Sequence, residues 1–343
     1  MGEPLATGKL PPDLLASFLK RLPRTDPRII VGPGIGQDAA VIDAWSEDAA
    51  GRYLVVKTDP ITFATEEIGA YAVRINANDI ACMGAHPKWF LASVLLPAGR
   101  ADTAMAEAIL RQITEACDGL GIALAGGHTE ITHDLTRPIV AGMMLGEVEK
   151  SKLVTTRGAR IGDVVCLTKG IPLEGSALIA REKAEELRAR GFAPNFIARA
   201  QGLLDLPGIS IVREALLAAD AGLVSAMHDP TEGGLATGLA ELAEAAQVGL
   251  DIDETAIPIL PEGRELCSAF GLDPLGVIAS GSLLLTTSED RFKPLCERLE
   301  SAGIPCTAIG RVVPLDQGLT LSRGGTHRPL PRFATDEITR LFA

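Results

Sequence analysis

Apolar residues recur at helical spacing over residues 10–22, where Leu14, Leu15, Phe18, Leu19 and Leu22 fall on one side. A second helix is predicted over 66–83, with Ile68, Tyr71, Ala72, Ile75 and Cys82 on its inner face, and a third over 102–119 with Ile109, Ile113 and Ala116. Between them, apolar runs at 53–57, 88–96 (stopped by Pro97), 122–125 and 138–148 read as strands. The strand at 53–57 is expected to end in Thr58-Asp59-Pro60, and the one at 122–125 to enter a loop at Gly126-Gly127-His128. A charged, turn-rich run at 149–163 marks a boundary. Beyond it, strands are predicted at 163–168 and 282–287. Helices are predicted at 174–190, 193–204, 210–219, from near 231, at 289–302 and at 335–342. Strands alternate with helices in both halves, so the expected fold class is α/β or α+β, with domains over 1–155 and 156–343.

The length of 343 residues suits two domains. Aromatics make up only 4%, so the cores must be built from Ala, Leu, Ile and Val. The net charge of −12 argues against a nucleic-acid partner held through its phosphates. It does not exclude a nucleotide, because Mg²⁺ can bridge carboxylates to phosphate oxygens. None of the six cysteines forms C-x-x-C, and most lie in apolar runs, which favours reduced, buried thiols over zinc or disulfides. No signal peptide and no apolar run of membrane-spanning length is visible, so a cytoplasmic protein without a membrane partner is expected.

Several polar residues break the structural pattern. Asp79 follows Ile75 by four and Asn78 follows Tyr71 by seven, so both fall on or beside the apolar stripe of the helix at 66–83. A buried carboxylate needs a partner, which is either a ligand or metal, or a backbone turn or a lysine. Asp59, at a strand end, is placed for function or simply starts a turn. Gly32, Gly34 and Gly36 precede Asp38 and either admit a phosphate or make turns. The spacing is not G-x-G-x-x-G, and no G-x-x-x-x-G-K-[ST] exists, which excludes a P-loop and leaves a dinucleotide site without its fingerprint. The expected loop Gly126–Glu130 can cradle an anion while Thr129 and Glu130 orient it, and His128 and His133 raise the question of a metal. There is no H-E-x-x-H, and His133 reads as an ordinary exposed or satisfied histidine. Asp229-Pro230-Thr231-Glu232 reads as a helix start, with Asp229 as N-cap, Pro230 at N1 and Glu232 at N3. Gly233 and Gly234 after it would let that helix terminus approach an anion.

Taken in order, six motifs resemble the AIR synthase (PurM-like) superfamily. They are G-x-G-x-G-Q-D-A-A-V-I, K-T-D-P, N-A-N-D-I-A-C-M-G-A, G-G-H-T-E, R-x-G-A-R-I-G-D and H-D-P-T-E-G-G-L, spread from about residue 30 to 290. Each is weak alone; six in register are specific for the superfamily. The resemblance implies an N-terminal α+β domain whose sheet pairs with that of a second copy in a homodimer, and a C-terminal α/β domain. It also implies ATP bound between these parts and used to phosphorylate an oxygen or similar atom of a small substrate. Carried over position by position, Asp38, Asp59, Asp79 and Asp229 match metal positions, for Mg²⁺. Gly36, Asn78, Gly127, His128, Thr129, Glu130, Thr231 and Gly233 match nucleotide-contacting positions.

Within the superfamily, D-P-T-E-G-G-L and G-I-P-L-E-G-S-A-L-I-A (170–180) look most like the HypE group of hydrogenase-maturation proteins. Three departures qualify that. The chain ends Arg340-Leu341-Phe342-Ala343, without the terminal cysteine on which HypE chemistry runs. Gln37 stands where an acid is frequent, and His128 stands where the thiamine-phosphate kinases have an acid. The expectation is therefore an ATP- and Mg²⁺-dependent enzyme. The alternatives are a HypE-like protein acting with a maturation partner, and a relative of thiamine-monophosphate kinase or selenophosphate synthase.

Overall fold

The computed structural model describes residues 10, 12–19, 21, 26–45, 51–62 and 66–342. They form two compact units. One holds Asp26–Gly32 and Asp38–Leu153; the other holds Pro33–Gln37, the N-terminal helix and the chain from Val154 onward. Both units are α+β, each a sheet packed with helices. Helix α1 is Pro12–Leu19; Leu22, expected on its apolar side, lies outside the described residues.

The N-terminal unit contains β1 (Ile29–Val31), β2 (Ala40–Ile42), β3 (Arg52–Ile61), α2 (Ile68–Cys82), β4 (His86–Pro97), α3 (Thr103–Leu120), β5 (Ala123–Thr132) and β6 (Ile139–Glu149). Its sheet order is β1-β2-β3-β6-β4-β5, antiparallel except for the parallel β4–β5 pair. Helix α2 is buried at fourteen of its fifteen positions, leaving only Arg74 less than buried, so its apolar stripe widens to nearly the whole circumference. Such a helix needs every polar side chain satisfied by protein or ligand. Asp102 caps α3 by accepting from the Met105 N–H at 2.8 Å, and Gly121 ends it in the left-handed region.

Two strand boundaries differ from expectation. β3 runs on through Asp59 to Ile61, because β6 pairs with it over all ten residues. β2 covers only Leu54–Val56, so Pro60 lies beyond the stretch paired with β2. The expected Gly126–Glu130 loop is instead the middle of β5, a ten-residue edge strand. Gly127 is what allows it: a Cβ there would collide with the Ala92 carbonyl of β4.

The C-terminal unit contains β7 (Val164–Thr168), α4 (Leu173–Glu182), α5 (Ala184–Ala189), α6 (Pro194–Gln201), α7 (Val212–Asp220), β8 (Ala226–His228) and α8 (Gly234–Ala246). It continues with β9 (Gly249–Asp253), α9 (Pro261–Phe270), β10 (Leu284–Thr287), α10 (Glu289–Ser301), β11 (Cys306–Val313), β12 (Leu319–Arg323) and β13 (Thr326–Pro329). The helix expected at 174–190 breaks at Lys183 into α4 and α5, and the expected terminal helix is a 3₁₀ segment, Glu337–Leu341. Strand order is β13-β12-β9-β11-β7-β10-β8, mixed, with β12–β9 parallel. One core joins the sheet residues Val165, Leu167, Leu250 and Ile309 to Leu235, Leu239 and Leu242 of α8. A second is formed by α4, α6 and α9 around Ile179, Ile197 and Leu266. No described helix is long and apolar enough to cross a membrane.

Candidate functional site

In the N-terminal unit, alternate residues of β3 face α2. Lys57 and Asp59 share that face, opposite Met144 and Gly142 of β6, and Asp79 reaches it from α2. The Lys57 ammonium donates to Asp79 Oδ1 at 3.0 Å and lies 3.6 Å from Asp59 Oδ2. Burial disfavours its charged form, but the carboxylates of Asp79, Asp59 and Asp38 outweigh that and hold it protonated beyond the ordinary lysine range. Three sequence-predicted acids therefore converge on one cationic point. Asp38 and Asp79 are each 5% exposed, whereas the Asp59 side chain is 37% exposed. The lysine alternative for Asp79 is realised, and Lys57 is the central group that the sequence reading passed over within K-T-D-P.

The frame around these acids is rigid. Asn76, fully buried one helical turn from Asp79, donates to its own helix at Ala72 O (2.8 Å) and across to Asp59 O (3.1 Å). It fits because Gly142 opposite has no Cβ; one would stand 2.5 Å from Asn76 Nδ2. Asn78 is fully buried beside it. Carboxylate oxygens are the hard donors that Mg²⁺ takes, so Asp38, Asp59 and Asp79 fit that ion by donor type, while the Lys57 ammonium between them already supplies one positive charge.

The β5 residues are placed differently. Asp59, Gly142, Ala92 and Gly127 form one register row across β3, β6, β4 and β5. Gly127 is thus three strand spacings from Asp59, about 14 Å. Gly127 and Thr129 share the α2 side. His128 and Glu130 point to the other face, exposed, with His128 Nε2 3.6 Å from Glu130 Oε2. The GGHTE residues are therefore split between two faces of the sheet and do not cradle one anion together.

In the C-terminal unit, Asp229 is buried and does not cap α8. Gly233 and Gly234 both have left-handed φ values, +80° and +65°, so right-handed helical backbone does not set in until Leu235 and α8 is bounded at Gly234. Residues 229–232 form the approach, and Thr231 O accepts from the Gly234 N–H (3.0 Å) and the Ala279 N–H (3.3 Å). The expected anion position at this terminus is filled from within the chain: Asp336 Oδ2 accepts from the Gly233 N–H at 2.7 Å. Burial pushes Asp336 up to about 6 against the opposing backbone donors Ile338, Gly233 and Ile278. Glu174, at the head of α4, is pushed up to about 7 by burial, opposed by its Ser280 hydrogen bond and reinforced by Asp336 and Glu232. Among the described residues its Oε2 has no hydrogen-bond partner. Gly36 packs on α8, where a Cβ would meet the Glu241 carbonyl, and Glu241 Oε2 lies 2.9 Å from His228 Nε2.

Two family models match the chain: AIR synthase related protein, N-terminal domain, over residues 36–148, and the C-terminal domain over 160–320. The chain belongs to the AIR synthase related protein family. Among members of this family, a hydrogenase expression/formation protein of Methanocaldococcus jannaschii is 29% identical over 291 residues, covering 83% of this chain and 82% of that protein. A selenide, water dikinase of Paraburkholderia xenovorans is 32% identical over 267 residues, covering 76% and 70%. The solved structure of the hydrogenase maturation protein HypE in complex with ATP superposes with a TM-score of 0.70 at 22% identity, covering 94% and 91%. At that identity the superposition establishes the shared fold.

The sequence reading missed Lys57, Asn76, Glu174, His228, Glu241 and Asp336. Lys57 and Asn76 carried a signal, being polar residues on the inner face of a strand and of a helix. Glu174 and Asp336 carried none, since their neighbourhood is assembled from segments about 160 residues apart.

Proposed function

We propose that this chain is an ATP- and Mg²⁺-dependent enzyme that phosphorylates or otherwise activates an oxygen or similar nucleophilic atom of a small substrate. The observation that carries the reading is the convergence of Asp38, Asp59 and Asp79 on the Lys57 ammonium in the N-terminal unit. Family membership and the ATP complex of HypE support it. Asp38, Asp59 and Asp79 would hold Mg²⁺ in the N-terminal unit. Held there, Mg²⁺ would supply neutralisation of phosphate charge during transfer.

The protein's own residues act by positioning. Lys57 keeps Asp79 and Asp59 together against their mutual repulsion, and Asn76 fixes the Asp59 backbone to α2. Asn78, Gly127 and Thr129 are the nucleotide-facing candidates of the N-terminal unit; Gly36 is packed against α8, and the Gly233 N–H is already taken by Asp336. His128 and Glu130 belong to the opposite face of the sheet. No protein nucleophile is needed for transfer between ATP and a substrate atom. The relative named selenide, water dikinase makes selenide a specific acceptor to assay alongside other small nucleophiles.

A homodimer belongs to the same reading. β5 is a ten-residue edge strand with exposed Leu124 (46%) and Ile131 (64%), and Met143 of β6 is 43% exposed. A long apolar edge left bare invites pairing with another strand. Titration calorimetry of the full chain with ATP and ADP, with and without Mg²⁺, tests the proposal. Mg²⁺-dependent binding, weakened about tenfold or more (1.4 kcal/mol) by Asp79→Asn, is expected. Absence of binding to either nucleotide overturns it.

A further inference from the structure

Three cysteines meet on one face of the C-terminal sheet. Cys166 of β7 lies opposite Ala308 of β11, and Cys306 lies opposite Thr168. Facing residues share a side of a sheet, and alternate residues of a strand share it too, so Cys166 and Cys306 are diagonal neighbours on one face. The opposite face carries Val165, Leu167 and Ile309 into the core beneath α8. Helix α10 packs against β11, and it brings Cys296 to the cluster: its Sγ lies 3.9 Å from the Cys306 carbonyl oxygen. Cys306 thus has Cys166 diagonally beside it on the sheet and Cys296 brought to it by α10.

The three thiols are not equivalent. Cys166 is buried, whereas Cys296 and Cys306 are half-buried, and all three are free. A reagent in water thus meets Cys296 and Cys306 and is kept from Cys166. The Cys166 thiol donates toward Cys306 and lowers the Cys306 pKa against the opposing effect of burial, and Cys296 adds a second donor. Cys166 and Cys296 are moved the other way, Cys166 chiefly by its hydrogen bond to Cys306 and Cys296 chiefly by burial. Cys306 is therefore the sulfur with the most thiolate character, and thiolate character with access decides which thiol is oxidised first.

We propose that Cys306 and Cys296 form a redox pair that a hydroperoxide converts to a reversible disulfide between β11 and α10. The Cys306 thiolate attacks the terminal peroxide oxygen. The O–O bond breaks, the hydroxide or alkoxide released takes up a proton, and Cys306 becomes a sulfenic acid. The Cys296 sulfur then attacks the Cys306 sulfur, the S–O bond breaks, and the hydroxyl leaves as water with the Cys296 proton. Two thiols lose two electrons, and the peroxide gains them. A dithiol reverses the step by exchange. The pair lies outside the carboxylate site proposed above and does not depend on that reading.

Trypsin separates the two cysteines at Arg298, so the test is a non-reducing tryptic map of the full chain after hydrogen peroxide. The expected product is a peptide pair joined through Cys296 and Cys306, two hydrogens lighter than the separate thiols and released by dithiothreitol. In Cys296→Ser, Cys306 is expected to accumulate as a sulfenic acid that dimedone traps. The proposal is overturned if Cys306 stays fully alkylatable after peroxide, if it runs on to sulfinic acid while Cys296 remains a thiol, or if its cross-link is to Cys166. The wild-type map decides by itself, so a poorly folding variant does not leave the question open.

Discussion

The Lys57 ammonium sits 3.0 Å from Asp79 Oδ1, joining the inner face of β3 to a helix buried on almost every side. Removing one member of such a pair leaves the other charge without compensation. In Lys57→Met, the Asp79, Asp59 and Asp38 carboxylates lose the positive charge they share. The expected loss is about 2–4 kcal/mol, below the full cost of breaking a buried pair because Lys57 is 22% exposed. If the three carboxylates form a cation site, Mg²⁺ should recover more stability in the variant than in the wild type. Melting temperatures of both proteins with and without Mg²⁺ check this. An equal Mg²⁺ response in the two would remove the acids as a shared site.

Asn76 gives a second, sharper perturbation. Its amide N–H donates to both Ala72 O and Asp59 O, and it is fully buried. Asn76→Leu should cost about 2–3 kcal/mol, since a buried acceptor at Ala72 and a part-buried one at Asp59 lose this donor and the branched side chain meets Gly142. Asn76→Asp keeps the shape while removing the donor and adding charge, and should be worse than Asn76→Leu. Urea unfolding orders the two; the reverse order would show that packing, not the hydrogen bond to β3, is what the site needs.

How much of this was legible depended on how local each determinant was. The span of α2 follows from Ile68, Tyr71, Ile75 and Cys82, and that of α3 from Ile109, Ile113 and Ala116, all within the element itself. The Gly126–Glu130 segment misled because paired glycines read as a turn, whereas parallel pairing with β4 and the close approach at Ala92 make it a strand. Asp229-Pro230-Thr231-Glu232 carries a complete local cap signal. The positive φ values at Gly233 and Gly234 override it, and the Gly233 N–H is satisfied by Asp336, 103 positions along the chain. The acids Asp38, Asp59 and Asp79 could be nominated from position, but Lys57 became visible as their common neighbour only once β3 and α2 were packed together. The thiol cluster needed β7–β11 register and the placement of α10, which no spacing of six scattered cysteines encodes.

The carboxyls at the heads of α4 and α8 set a pH dependence. Burial raises Glu174 from 4.5 to about 7 and Asp336 from 3.8 to about 6. Both groups bind protons more tightly in the folded protein, so their contribution is fully present below the unfolded values and is lost as pH rises through the folded ones. Stability should therefore fall from pH 3.8, where the Asp336 contribution begins to be lost, to about pH 7, where the Glu174 contribution is lost. The Glu174 share is on the order of 3 kcal/mol, at 1.36 kcal/mol per unit. Glu174→Gln should flatten that slope and leave the protein more stable than wild type above pH 7. Denaturant midpoints at several pH values check it, and parallel wild-type and variant profiles would show that Glu174 does not titrate in this range.

The open edge of the N-terminal sheet supplies the last prediction. Leu124 and Ile131 are exposed on β5, and the strand's backbone has a partner on one side only, β4. If β5 pairs with its counterpart in a second copy, a charge on this edge should separate the copies while leaving each folded, because neither side chain contributes to a core. Ile131→Lys is the better probe, since Ile131 is 64% exposed and its replacement buries nothing new. Light scattering should then report a dimer for the wild type and a monomer for the variant, with the variant's melting temperature lowered only by the lost association. A wild type that is monomeric at high concentration would mean that the edge is left unpaired. A variant that stays dimeric would move the interface away from β5.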